Sequence, residues 1–433
     1  MKLAKSLFLG SVAGLAAVAG AQAADLPAKK AAAVEYVRVC STYGAGFFYI
    51  PGTDTCLRVG GRVRAEYLYG QPAGFTDPAT GAFVRGRNQD AVGFYTRGRV
   101  QLDARTDTAY GLLRSVVRLE LTRTSGTPFR GPDAFGTVGT GAQVAQAFIQ
   151  FGGLTAGRVT SFFSNGDLPT EHFGTLRFDD APDIELLAYT FSVGNGFSAT
   201  LSLEDGIERR EGILGGDYGG QRMPDVVANV KYDGTWGSAQ LSGAVHQIRD
   251  NTLAFVGDDF DTEYGFAVTA QVGVNLPMLG AGDALWFAAT YADGASSYLD
   301  GGIAGTINSP FASFSNGQPA LVDASIDPVT GQLEKSRAWS LAGGLRHYWT
   351  PTLRSSIFGS YLNSDSRVAG GNAADFREYR IGGNVIFSPV SGLDLGVEVI
   401  YANTDLQGIN PVTGVNYRNS DGFEGRLRIQ RDF

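Results

Sequence analysis

The sequence predicts an all-β chain: a sixteen-stranded antiparallel transmembrane β-barrel with short turns at its periplasmic end and long loops at its outer end. Three observations lead to this. From Leu57 to Phe433, apolar residues take every second position in stretch after stretch of about ten residues. The connections between those stretches alternate short and long. The chain also opens with a secretory leader and closes on a phenylalanine. A soluble sandwich would bury the apolar parity and scatter mixed polar residues outside. A membrane barrel turns the apolar parity to lipid and the charged parity to a water-filled lumen.

The leader is residues 1–23. Lys2 and Lys5 form its charged start, Leu7 to Ala19 its apolar core, and Ala21, Gln22 and Ala23 a small-residue cleavage site. That core is too short to span a bilayer as a helix, and no other uncharged apolar run reaches about 18 residues. Cleavage removes both lysines and takes the formal charge from −8 to −10, which argues against nucleic acid as a partner. The mean hydropathy of −0.05 is what one-for-one alternation of lipid-facing and water-facing residues produces.

Residues 24–36 lack any periodicity and read as a periplasmic arm. Cys40 and Cys56 follow, enclosing a segment rich in glycine and aromatic residues. In an oxidising periplasm an isolated pair this close most simply forms one disulfide, worth about 3 kcal/mol in the loop-entropy account. The alternative is two free thiols. His172, His246 and His347 are far apart and none stands at ligand spacing with a cysteine, so neither a metal site nor a cofactor is expected. The division is thus 1–23 leader, 24–56 arm and disulfide-closed segment, and 57–433 one barrel domain.

Within the barrel the first strand, 57–69, sets the pattern. Leu57, Val59, Val63, Ala65, Tyr67 and Tyr69 share one parity, while Arg58, Arg62, Arg64 and Glu66 share the other. The strands that follow are 92–106, 111–124, 143–151, 153–160, 185–192, 197–205, 225–232 and 236–248. The last seven are 263–274, 284–292, 337–349, 352–363, 376–388, 392–403 and 421–433. An even count lets both ends of the chain meet on one side. Short connections carry turn chemistry, as in Asn195-Gly196, Asp233-Gly234 and Ser391-Gly392. Strand 337–349 carries Trp339 and Trp349 on one parity. Ten residues rising about 3.3 Å each and tilted about 40° set the indoles about 25 Å apart along the membrane normal, the height of an outer-membrane apolar band.

No nucleophile elbow, Walker loop or HExxH motif occurs, so no catalytic residue is expected. The informative constellation is an arginine ladder on the lumen parity: Arg58, Arg62 and Arg64; Arg97, Arg99 and Arg105; Arg114 and Arg118; Arg158; and Arg426 and Arg428 of the last strand. Closure brings the last strand beside the first and gathers these on one stretch of inner wall, partly offset by Glu66, Asp103, Glu120 and Glu424. The bland reading is a set of internally paired charges plugging the lumen. A sixteen-stranded barrel is too wide for side chains to fill.

The connection 161–183 carries Asp167, Glu171, Asp179, Asp180 and Asp183 against the single Arg177, together with Phe162, Phe163, Phe173 and Phe178. A loop this apolar and acidic can fold into the lumen, narrow the passage and turn its carboxylates to the ladder, setting up a transverse field. The alternative is an external loop whose phenylalanines pack on neighbouring loops. A further acidic group, Asp258, Asp259, Asp261 and Glu263, would suit Ca²⁺ or Mg²⁺ near lipopolysaccharide phosphates, but its spacing fixes no coordination sphere and solvated loop charge explains it.

The segment VCSTYGAGFFYIPGTDTCLRVGGRVR (39–64), with ADLPAKKAAAVEYVR before it, resembles the start of alphaproteobacterial general porins, and the terminal strand ending in Phe433 resembles that of outer-membrane porins. The resemblance implies sixteen-stranded barrels assembled as homotrimers in the cell outer membrane, with the third outer loop folded inward. It implies passive diffusion of small hydrophilic solutes and ions. It also implies that the barrel-assembly machinery reads the last strand, where Phe423, Leu427, Ile429 and Phe433 share the lipid parity and Arg431 departs from it. Two other readings are a substrate-specific sugar-type channel and a structural or adhesive barrel. A sugar channel would need aromatics along the lumen, yet Tyr67, Phe94, Tyr232, Tyr264, Phe266 and Tyr401 fall on the lipid parity.

Overall fold

Alternation survives folding as a closed wall. The computed structural model describes residues 38–70, 74–76, 83–85, 90–126, 128, 136–251, 261–300, 321–327, 329–367, 375–407 and 420–433. The leader, the arm up to residue 37, Asp258 and Asp259 lie outside the described residues. The chain falls into two compact units, one up to Cys56 and one from Leu57.

In the first unit Cys40 and Cys56 are joined by a disulfide, with their Cα atoms 6.0 Å apart. Both sulfurs and Phe47 are buried, with Tyr43 and Tyr49 packed against them. The Arg38 guanidinium lies 4.6 Å above the Tyr49 ring. A short strand, Phe47–Tyr49, bridges back to Val39.

Among the described residues sixteen long strands build the barrel. They are β1 (Cys56–Gly70), β2 (Val92–Thr108), β3 (Gly111–Ser125), β4 (Val138–Phe151), β5 (Leu154–Thr160), β6 (Asp183–Gly194), β7 (Phe197–Glu204) and β8 (Asp225–Gly234). The second half is β9 (Gly237–Arg249), β10 (Thr262–Asn275), β11 (Ala284–Asp293), β12 (Arg337–Thr350), β13 (Leu353–Asp365), β14 (Phe376–Val390), β15 (Leu393–Leu406) and β16 (Ser420–Asp432). Each pairs with the next, and β1 pairs with both β2 and β16, so the sheet has no open ends. The closing register runs antiparallel from Arg62↔Asp432 to Gly70↔Glu424, and Phe433 extends it by exchanging both backbone hydrogen bonds with Gly61 at 2.9 and 3.1 Å.

Strand positions follow the alternation closely. The widest departure is β4, which begins at Val138 rather than residue 143. Glycines at 139 and 141 hide the alternation there, while Val138↔Ser125 pairing still holds the backbone in the sheet. A bulge at Ala145 then lets Gln143 and Gln146 both face inward, opposite Glu120 and Arg118. The β8–β9 turn is centred on Thr235-Trp236, two residues beyond Asp233-Gly234. At the β6–β7 turn Asn195 and Gly196 take φ of 52° and 84°, the paired left-handed conformation that an Asn-Gly hairpin requires.

The outward parity is apolar and bare: Val59, Val63, Tyr67, Trp339 and Trp349 are all exposed. The buried core lies inside the barrel. One cluster joins Phe163, Tyr298, Leu299, Leu362 and Phe376; another joins Leu176, Phe178, Trp286, Phe358 and Ile400. The fourth and sixth outer connections add a small sheet of Ile213–Leu214, Ala324–Ile326 and Leu333–Lys335.

Candidate functional site

The connection between β5 and β6, residues 161–182, is the third outer loop, and it runs inside the barrel. Its apolar residues place it there: Phe163, Leu176 and Phe178 are essentially fully buried, the last against the Trp286 ring at 5.0 Å. Wall residues take up its backbone polar groups, which could not otherwise be buried without cost. The Asn229 and Gln240 side-chain amides donate to Phe162 O, Gln271 accepts from Asn165 N, and Glu398 accepts from Phe173 N and Gly174 N at 2.7 and 2.6 Å. Two wall glycines provide seats. A Cβ on Gly273 would meet Pro169 at 2.6 Å, and one on Gly396 would meet the Phe173 ring at 2.5 Å.

Charge fixes the loop as well. Arg177 bonds Glu378 of β14 and Asp300 of the sixth loop, each at 2.8 Å. Burial works against the Arg177 charge, but Glu378 and Asp300 outweigh it and raise its pKa. Asp179 and Arg209 form an ion pair at 2.7 Å with both side chains fully buried, and Arg209 stacks 4.2 Å above the Tyr298 ring. Burial pushes Asp300 and Glu211 above the usual carboxylate range, Glu211 further because Asp300 and Asp323 stand beside it.

The opposite wall carries the arginines, and its carboxylates are shared. Glu120 takes Arg97 at 2.8 Å and Arg99 at 2.5 Å; Asp103 takes Arg105 at 2.8 Å and Arg114 at 3.0 Å. Glu66 takes Arg428 at 2.7 Å and Arg426 at 3.4 Å, with Arg64 at 3.7 Å. Arg62 bonds Asp432, and Glu424 pairs with Arg426. Because guanidinium groups outnumber carboxylates, this wall stays cationic. Between it and loop three lies a cavity of about 1180 Å³, lined by Arg64, Arg97, Arg99 and Arg428 on one side and by His172, Gly174, Leu176 and Asp180 on the other.

Several positions differ from the sequence reading. Arg158 lines the same cavity as Arg64, Arg97 and Arg99, but its charge is taken by Glu208, and its register partner is Glu185. The five acids do not face the ladder together. Asp167 pairs with Lys231 and Glu171 with Arg354 at 2.6 Å, which hold the loop to the far wall, and Asp179 is buried on Arg209 of the fourth loop. Asp180 stands 3.6 Å from His172, and Asp183 stands 4.0 Å from Arg118 as the first residue of β6. Arg58 is exposed near the start of β1, and Arg431 faces outward with its guanidinium turned to Ser391 O. Asp261 accepts from Leu333 N at 3.3 Å, and Glu263 lies in β10. Residues the sequence reading missed are the receivers of the loop: Glu398, Glu378, Asn384, Gln271, Arg354 and Arg209. One signal was available, since in ALWFAATYAD both parities are apolar, which marks a wall covered on its inner face too.

A profile of the porin subfamily matches residues 25–425. The chain belongs to this porin family. Porin Omp2b of Brucella canis is 36% identical over 275 residues, covering 62% of this chain and 72% of that protein. Porin Omp2a of Brucella ovis is 38% identical over 284 residues, covering 62% and 77%. The crystal structure of the outer membrane channel DcaP of Acinetobacter baumannii has the same fold, with a TM-score of 0.63 at 18% identity over 89% of this chain and 99% of that one. This porin is therefore a β-barrel channel of the outer membrane.

Proposed function

We propose that this porin is a homotrimeric general-diffusion pore, carrying small hydrophilic solutes and ions with no catalytic step, and that loop three and the arginine wall bound its narrowest part. The observation that carries the reading is the water-accessible cavity between them, polar on the ladder side and backed by a loop packed on the other wall. Passage is sorted by aperture and by a field set by Arg62, Arg64, Arg97, Arg99, Arg114, Arg118, Arg426 and Arg428, against Asp180 and Asp183. Loop acids consumed in docking contribute little to that field, so the net sign favours anions. Outward aromatics leave no stacked track for a sugar.

Residues 1–23 serve as the cleaved leader, and the bridged segment 24–56 stands in the periplasm. The outward apolar band meets lipid and, at the outer rim, lipopolysaccharide. The terminal Phe433 is the feature the assembly machinery reads. Gly98, Ser115 and Gly243 leave open outward surface where copies approach closely. Gly61 does not, because a Cβ there would meet the Phe433 ring at 2.5 Å. The test is purified protein in planar bilayers and in mild detergent. Stepwise conductance from a trimer is the expected result; a monomer without conductance steps would refute the proposal.

A further inference from the structure

Beyond sorting by field, we propose that the ladder contains a subsite for small multivalent oxyanions bearing phosphate or carboxylate groups, formed by Arg64, Arg97, Arg99 and Arg428. The proposal rests on the diffusion-pore reading and names the solute class that dwells in that pore.

Stoichiometry is the first argument. These four guanidinium groups share Glu66 and Glu120, and Glu66 serves Arg426 as well. The excess of positive charge suits a dianion better than chloride. Of the other carboxylates of the cavity, two are held in ion pairs and the rest stand away from these four arginines. Asp183 lies toward Arg118, Glu208 pairs with Arg158, Asp300 with Arg177, and Asp180 lies toward His172. Glu185 lines the cavity beside Arg158, its register partner.

Donor geometry is the second. Arg97 spends Nε on Thr122 Oγ1 at 2.9 Å and Nη1 on Glu120, which leaves Nη2. Arg64 spends Nε on Gln430 Oε1 at 2.9 Å and stands only loosely, at 3.7 Å, from Glu66. Arg428 spends Nε on Glu66 and Nη2 on Phe173 O at 3.4 Å, which leaves Nη1, and its plane is held 4.0 Å above the Phe173 ring of loop three. With Nε spent, Arg64 presents Nη1 and Nη2 as a planar fork, the arrangement that takes two oxygens of a carboxylate or phosphate at once, and Arg97, Arg99 and Arg428 each add one Nη donor beside it. Chloride offers no such pair, so it passes while an oxyanion is held.

The third argument is rigidity. Nε anchoring to Thr122, Gln430 and Glu66, together with the Phe173 stack, orients these donors before any solute arrives, which lowers the ordering cost of binding.

The test uses the full-length protein in planar bilayers at low KCl, with inorganic phosphate or tricarballylate added to one side. Chloride current should fall saturably with added oxyanion. The Arg64→Gln/Arg97→Gln double variant should raise the half-blocking concentration at least about tenfold. Its channel steps, whatever their size, report that it has folded. Arg64→Lys keeps the charge and loses the fork, and should weaken block by more than it shifts the KCl reversal potential. Block by phosphate alone assigns the phosphoryl class, and block by tricarballylate alone the carboxylate class. A current that falls linearly or not at all, or equal block in the double variant, would overturn the subsite while leaving the pore intact. Absence of channel steps in the wild type would instead refute the pore reading itself.

Discussion

At the scale of single residues, the passage depends on what loop three is fastened to. Gly396 is the clearest case, since the Phe173 ring occupies the space its side chain would take. Gly396→Val should displace that ring, loosen the Arg428 stack and free the backbone donors of Phe173 and Gly174 from Glu398. The expected outcome is noisier conductance and new protease cuts within 165–178, whereas wild-type behaviour would show that the seat is unimportant. The acids divide by the same logic. Asp179→Asn leaves Arg209 as a buried charge without its partner, a loss of about 3–5 kcal/mol of local stability. Asp180→Asn removes a half-exposed carboxylate and should shift ion preference toward anions without loosening the loop. Limited proteolysis and reversal potentials separate the two, and equal effects from both would contradict the assignment.

At the scale of elements, strands were legible and the loop's landing was not. Alternation is local, so β1, β3 and β11 could be read from ten residues each, and the turn at Asn195-Gly196 carried its own chemistry. Loop three meets Gln271, Glu378 and Glu398, which lie about a hundred to more than two hundred residues further along the chain, and no local pattern announces such pairs. Arg158 lies in the seven-residue β5, and its partner Glu208 belongs to the fourth loop some fifty residues on, so no local pattern showed that its charge is spent. That Glu120 and Glu66 each serve several arginines needed the register, not the composition.

The fourth and sixth loops carry a pH signature of their own. Burial raises Glu211, Asp300 and Asp323, with Arg177 and His246 opposing in part. A carboxyl raised on folding contributes stability that is complete at low pH and is lost as pH climbs through the raised value. Amide hydrogen exchange across 206–216, corrected for its intrinsic pH dependence, should therefore be slower in mild acid than above neutrality. Slower exchange at the higher pH would contradict the buried-carboxyl account.

At the scale of the whole molecule, the barrel divides its interior between two tasks. The wall from β7 to β15 is covered by loop three and by the fourth and sixth loops, and its charges are spent in holding them. The wall from β1 to β4 stays open to the cavity and keeps its arginines, while Arg426 and Arg428 of β16 stand at the seam, donating to Phe173 O of loop three. A chain with formal charge −8 thus carries a cationic passage, because the excess acid lies elsewhere. The central claim concerns the sign of that passage. The reversal potential across a tenfold KCl gradient, at low ionic strength where the Debye length approaches 30 Å, tests it most directly. Wild-type channels are predicted to prefer chloride, with the preference shrinking as salt rises and reversing toward potassium in the Arg64→Gln/Arg97→Gln/Arg118→Gln variant. Potassium preference in the wild type, unchanged by that substitution, would contradict the account.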